Sequence, residues 1–268
     1  MTTVQTMFKL RPRSGQGVLA LVAVIAAACS LGSCGPKERG RLDVPEVLVA
    51  PYDSTRGTVL WAVVPLTNES GASFVDQMAV SDALVTKIAE TRGLSCLPLN
   101  RTIAAMRALG SKSVNSPNQA KALANALGAD GLVVGSITAY DPYNPPKIGL
   151  NLALFTRDGG QMDQAIDPFG ISIQYSEFMK RITTQYNERP ASVVTLHLDG
   201  SNHEVLMDLK RYQTGRHDVD SALGWRTALM NMDLYTQFAA YEAVGRLLEM
   251  ERMRVAQPAP RDAKQAAR

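Results

Sequence analysis

Apolar positions along this chain follow three spacings in turn. Val59 to Pro65 (Val-Leu-Trp-Ala-Val-Val-Pro) is an almost unbroken apolar run, the pattern of a strand covered on both faces. Ser73, with Asp76 three residues on, reads as a capping box. It opens a helix through about Thr91 that carries Val80, Leu84, Val85 and Ile88 on one face, and Gly93 stops it. A short strand, Leu94 to Leu97, then precedes a helix from Asn100 to Leu109, closed by Gly110. Ser116 as cap, Pro117 in the first turn, Ala120, Leu123, Ala124 and Leu127 on one face, and Gly128 at the end predict the next helix.

The apolar run Leu132 to Ile137 predicts a further strand. After the turn Asp141-Pro142-Tyr143-Asn144-Pro145-Pro146, Ile148, Leu150, Leu152 and Leu154 alternate with Gly149, Asn151 and Ala153. Period two predicts a half-buried strand, antiparallel to its neighbour across so short a turn. Tyr175 to Tyr186 is read as a helix, and Val193 to Leu198 as a strand. Glu204 to Tyr212 is read as a short helix. About Gly224 to Arg254 is read as a long one, with Leu234, Phe238, Tyr241, Gly245 and Leu248 in a stripe that faces the core or, alternatively, a partner or membrane surface. Strands alternating with helices predict an α/β fold, a small mixed sheet flanked by helices with a long C-terminal helix.

Ahead of this lies a different pattern. Lys9, Arg11 and Arg13 precede an eleven-residue apolar run, Val18 to Ala28, the n-region and h-region of a signal peptide. Leu31-Gly32-Ser33-Cys34 then resembles the lipobox of bacterial lipoproteins, which implies cleavage before Cys34 and acylation of its thiol. The expected organisation is a cleaved signal at 1–33, a tether at 34–57 rich in Pro, Gly and charge, one domain over 58–254, and a frayed tail at 255–268. Gly35, in place of the aspartate that retains lipoproteins in the inner membrane, implies the periplasmic face of the outer membrane.

Removal of the leader changes the charge. The whole chain is +3, with 28 basic and 25 acidic residues. Losing Lys9, Arg11 and Arg13 leaves it neutral, so a nucleic-acid partner is not expected. Cys29 departs with the leader and Cys34 takes the lipid, which leaves Cys96 without an internal partner, as a small buried apolar residue.

Catalytic signatures are missing from the mature part: no phosphate loop, no Gly-x-Ser-x-Gly, no His-Glu-x-x-His and no Cys-x-x-Cys. His197 and His203 flank a polar turn and are read as solvated residues. We expect no metal, no cofactor and no enzymatic activity. The most unusual surface feature is the turn holding Tyr140, Asp141, Tyr143, Pro145 and Pro146. Its stiff, large-area groups lose little entropy on ordering, so it either contacts a partner or packs its tyrosines on the domain.

Val63-Val64-Pro65-Leu66 with Asn68 and Ser70, then Ala122 to Gly128, then Val133 to Pro142, resemble the shared domain of the curli-secretion (CsgG-type) and penicillin-binding-protein-activator (LpoB-type) lipoproteins, and the TolB N-terminal domain. The resemblance covers about residues 58 to 156. It implies a non-enzymatic module that docks on an envelope protein such as a peptidoglycan synthase or, alternatively, a homo-oligomeric subunit of an outer-membrane secretion pore. Phe155 to Val193 lacks the alternation that membrane strands of about ten residues require, which disfavours the pore.

Overall fold

The computed structural model describes residues 43–52, 57–156, 190–218 and 221–256. Cys34, the leader and the helix expected at Tyr175 to Tyr186 lie outside the described residues. The chain runs β1 (Val59–Val63), β2 (Thr67–Asn68), α1 (Gln77–Glu90), β3 (Leu94–Cys96), α2 (Leu99–Ala108), α3 (Pro117–Leu127), β4 (Gly131–Asp141), β5 (Lys147–Thr156), β6 (Ser192–Asp199), α4 (His203–Gln213), a 3₁₀ turn (Gly224–Arg226), α5 (Thr227–Met230) and α6 (Met232–Ala256).

The strands form one mixed sheet of order β3-β1-β4-β5-β6, with β2 beside β4. β1 is parallel to β3 and β4, whereas β4–β5 and β5–β6 are antiparallel. Alternation along the strands sends side chains to two cores. Trp61, Val63, Val133, Ile148, Leu150, Leu152, Leu154, Val194 and Leu196 meet α1, α4 and α6 on one face. Ala62, Val64, Leu132, Ala153 and Phe155 meet α2 and α3 on the other. Trp61 and Phe238 are wholly buried, each contributing about 2–3 kcal/mol of transfer free energy.

Several expectations need correction. The helix after β1 is capped by Asp76, whose carboxylate accepts from Met78 N and Ala79 N at 3.0 Å, and not by Ser73. β5 is buried on both faces; its period-two pattern reflects small and polar residues (Gly149, Asn151, Ala153) on the second face, not exposure. The long C-terminal helix is broken at Asn231, whose side chain caps α6 by accepting from Asp233 N. Its stripe is core, with Phe238, Tyr241 and Leu248 buried and Leu234 partly exposed.

The compact unit begins at Asp43, not at residue 58. Residues 43–52, expected in the tether, lie along the sheet edge. Ala50 N donates to Arg92 O, and Arg92 N to Leu48 O. Arg216 stacks on Tyr212, its guanidinium 4.4 Å from the ring centroid, and donates to Glu46 O. Gly215, at φ +76°, lies so close to the Asp43 and Pro45 backbone that a Cβ would collide there.

Candidate docking face

β4 and β5 run out to the turn 142–146, which stands at one end of the sheet. Its conformation is fixed locally: the Asp141 carboxylate accepts from Tyr143 N at 3.1 Å, a side-chain-capped turn that needs no other element. Its base is fixed by β6, since Gly200 N donates to Pro146 O at 2.8 Å. A Cβ on Gly200 would fall within 2.9 Å of the Pro146 ring, so only glycine lets the two loops meet. Below them Lys147 pairs with Asp199 at 2.9 Å. The hydroxyl and backbone N–H of Ser201, with Lys147, hold the Asp199 carboxyl down at about 2. The same pair raises the Lys147 ammonium above its ordinary value.

This support separates the residues expected to act together. Pro146 is buried in the base of the turn, and Tyr140 and Asp141 are half-buried. Tyr140 packs on Phe74 with ring centroids 6.0 Å apart. Its phenol is pushed up by burial first and by Asp233 and Asp76 next. Tyr143 and Pro145 are exposed, Tyr143 at 76%.

Two further loops, which sequence reasoning missed, border the turn. Phe74, 59% exposed, comes from the segment ahead of α1. Met230, 60% exposed, comes from the α5–α6 break, and Asn144 Nδ2 reaches its sulfur at 3.4 Å. Phe74 stands inside what reads as a capping box, and Met230 inside what reads as a continuous helix, so neither pattern marks a surface. The result is an apolar end, Phe74, Tyr140, Tyr143 and Met230, with the carboxylates Asp76, Asp141 and Asp233 among them. Such an arrangement can bury aromatic area against a partner; it offers no nucleophile with a base.

Elsewhere the chemistry is sparse. His197 and His203 are exposed, His203 in the first turn of α4 behind its cap Asn202. Among the described residues no three His, Cys, Asp or Glu side chains converge as metal ligands. Burial pushes the half-buried Cys96 thiol up to about 12, which leaves it protonated and unreactive at neutral pH.

No protein-family model and no curated protein matches the chain. Among solved structures, the LpoB C-terminal domain from Salmonella enterica is similar over 53% of this chain and 82% of that one, at 12% identity and a TM-score of 0.36. A hypothetical protein from Chlamydia trachomatis is similar over 72% and 97%, at 14% identity and 0.37. The lipoprotein GNA1162 from Neisseria meningitidis is similar over 57% and 91%, at 14% identity and 0.33. This chain is thus similar to LpoB-type lipoprotein domains, at TM-scores too low to carry any argument about activity.

Proposed function

We propose that this protein is a lipid-anchored, non-enzymatic binding module of the cell envelope that docks its hairpin end on another envelope protein, a peptidoglycan synthase being the first to test. The observation that carries the reading is the braced turn. Tyr143 is exposed on a loop fixed by Asp141, Pro146 and Gly200, so little ordering entropy is lost when it is covered. Interfaces of this kind concentrate their energy in a few aromatic anchors, and Phe74 and Met230 extend the apolar area. The carboxylates Asp76, Asp141 and Asp233 suit a partner patch with basic residues around an apolar centre.

The anchor limits where that partner can lie. No helix among the described residues is long and apolar enough to cross a membrane. With the lipid on Cys34, the chain from Cys34 to Asp43 spans at most about 30 Å. Docking of residues 43–52 therefore shortens the search radius and favours a partner site near the membrane surface.

The test is a photo-cross-linker placed at Tyr143 in cells. Adducts with one envelope protein are expected, lost when Phe74 or Met230 is replaced by Ser and retained when the exposed Met253, near the far end of α6, is replaced. Adducts that are absent, or unchanged by Phe74→Ser, would remove the hairpin from the interface. Metabolic labelling with a palmitate analogue, with Cys34→Ser as control, tests the anchor separately.

A further inference from the structure

A second surface feature follows from the topology, bordering the docking face at Gln77 and Met78. The helix after β1 crosses one face of the sheet, and the helices after β3 cross the other. The chain leaving β1 and the chain arriving from β3 therefore part beyond the C-terminal end of β1. In open α/β sheets such a switch point leaves a crevice suited to a ligand. Here the crevice measures about 910 Å³, within the range of small-molecule sites, roughly 300–1,000 Å³.

Its walls are mainly apolar, with Leu66 from the chain after β1, Ile103 and Met106 from α2, and Val134 and Phe155 from the sheet. Two cations stand on it as well, Arg107 in the last turn of α2 and Lys112 in the loop that follows. Both are exposed, and neither forms an ion pair or hydrogen bond with another described residue. The carboxylate of the described lining is Glu69, which has an interaction of its own. An apolar hollow with two uncommitted cations complements one kind of molecule: an apolar body that carries an acidic head.

We propose that the crevice binds a single-chain amphipathic anion, its chain against Ile103, Met106, Val134 and Phe155 and its carboxylate or phosphate at Arg107 and Lys112. None of Phe74, Tyr140, Tyr143 and Met230 lines the crevice, so either proposal can fail without the other.

The probe is 1-anilinonaphthalene-8-sulfonate, itself an amphipathic anion, titrated by fluorescence into the purified full-length protein. It is then displaced by dodecanoate, dodecyl phosphate or neutral dodecanol. Saturable binding at one site is expected, with both anions displacing the probe and dodecanol doing so about tenfold less well. The exposed double variant Arg107→Gln/Lys112→Gln should weaken the anions by about tenfold and leave dodecanol unchanged. Val134→Phe, which fills the crevice, should weaken all three, and Tyr143→Ala should change none. Preference for dodecanoate alone identifies a fatty acid, and preference for the phosphate a lipid head group; either supports the site. Equal affinity for dodecanoate and dodecanol, or anion binding unchanged in the double variant, would overturn it. The double variant lies on the surface, so the test holds even where Val134→Phe does not fold.

Discussion

Tyr52 donates a hydrogen bond to Glu251 at 3.0 Å, joining positions 199 residues apart. Glu251 is wholly inaccessible on α6, and its carboxylate also accepts from Ser192 Oγ at the start of β6 and from Arg254 at 2.8 Å. One side chain thus ties the N-terminal segment, the last strand and the final helix together. Burial first, and the Glu251 carboxylate next, push the Tyr52 phenol above its ordinary value, so it is a donor at neutral pH. Glu251→Ala leaves a guanidinium and two hydroxyls without their acceptor and should cost about 3 kcal/mol. Tyr52→Phe removes one bond and should cost about 1 kcal/mol. Urea unfolding measures both, and near-equal midpoints for Glu251→Ala and the unaltered protein would contradict this account.

The hairpin base should respond to acid. Asp199 has its carboxyl lowered from 3.8 to about 2 in the folded chain. A depressed acid stabilises the folded state when ionised, so its contribution is complete above the unfolded value and is lost as pH falls from about 4 through 2. Asp199→Asn should lower stability at pH 7 and flatten that part of the stability-versus-pH profile. A profile of unaltered slope between pH 4 and 2 would show that the Ser201 and Lys147 contacts add nothing.

Gly135 lies on β4 where β5 leaves no room for a side chain. A methyl there would collide with the Asn151 carbonyl oxygen and come within 2.7 Å of the Leu152 side chain. Backbone cannot yield as a flexible side chain does, so Gly135→Ala should destabilise by about 2–3 kcal/mol. Nearby, Ser136 Oγ and Thr195 Oγ1 are buried without hydrogen-bond partners among the described residues. Thr195→Val keeps the shape and removes the orphaned hydroxyl, so it should be neutral or raise stability by up to about 1 kcal/mol. The thermal midpoint should therefore fall for Gly135→Ala and hold or rise for Thr195→Val.

Legibility in the sequence tracked the range of the forces involved. β1, α3 and the β4–β5 pair were readable because apolar period, the Ser116 cap, Pro117 and Gly128 act within one turn or strand. The docking of residues 43–52 was not, because Pro and charge dominate the segment locally. What holds it is distant: Arg92, Arg216 and Glu251. The break at Asn231 did carry a local signal, an asparagine able to cap Asp233 N, which the apolar stripe on either side concealed. The docking face was half legible, since turn composition located Tyr143 but nothing local places Phe74 or Met230 beside it.

The two tyrosines of the hairpin separate structure from docking. Tyr140 packs on Phe74 at the edge of the core, so Tyr140→Ala removes folded-state contacts and should cost about 1–2 kcal/mol in urea unfolding. Tyr143 is 76% exposed, and among the described residues only its backbone N–H is hydrogen-bonded, to Asp141. Tyr143→Ala should leave stability within about 0.5 kcal/mol of the unaltered protein. An anchor at the centre of an interface nevertheless costs about 2 kcal/mol or more on truncation, close to thirtyfold in partner affinity. The two measurements are therefore expected to disagree at Tyr143 and to move together at Tyr140. Partner binding that survives Tyr143→Ala while Tyr140→Ala abolishes it would mean that the turn matters only by holding the domain together.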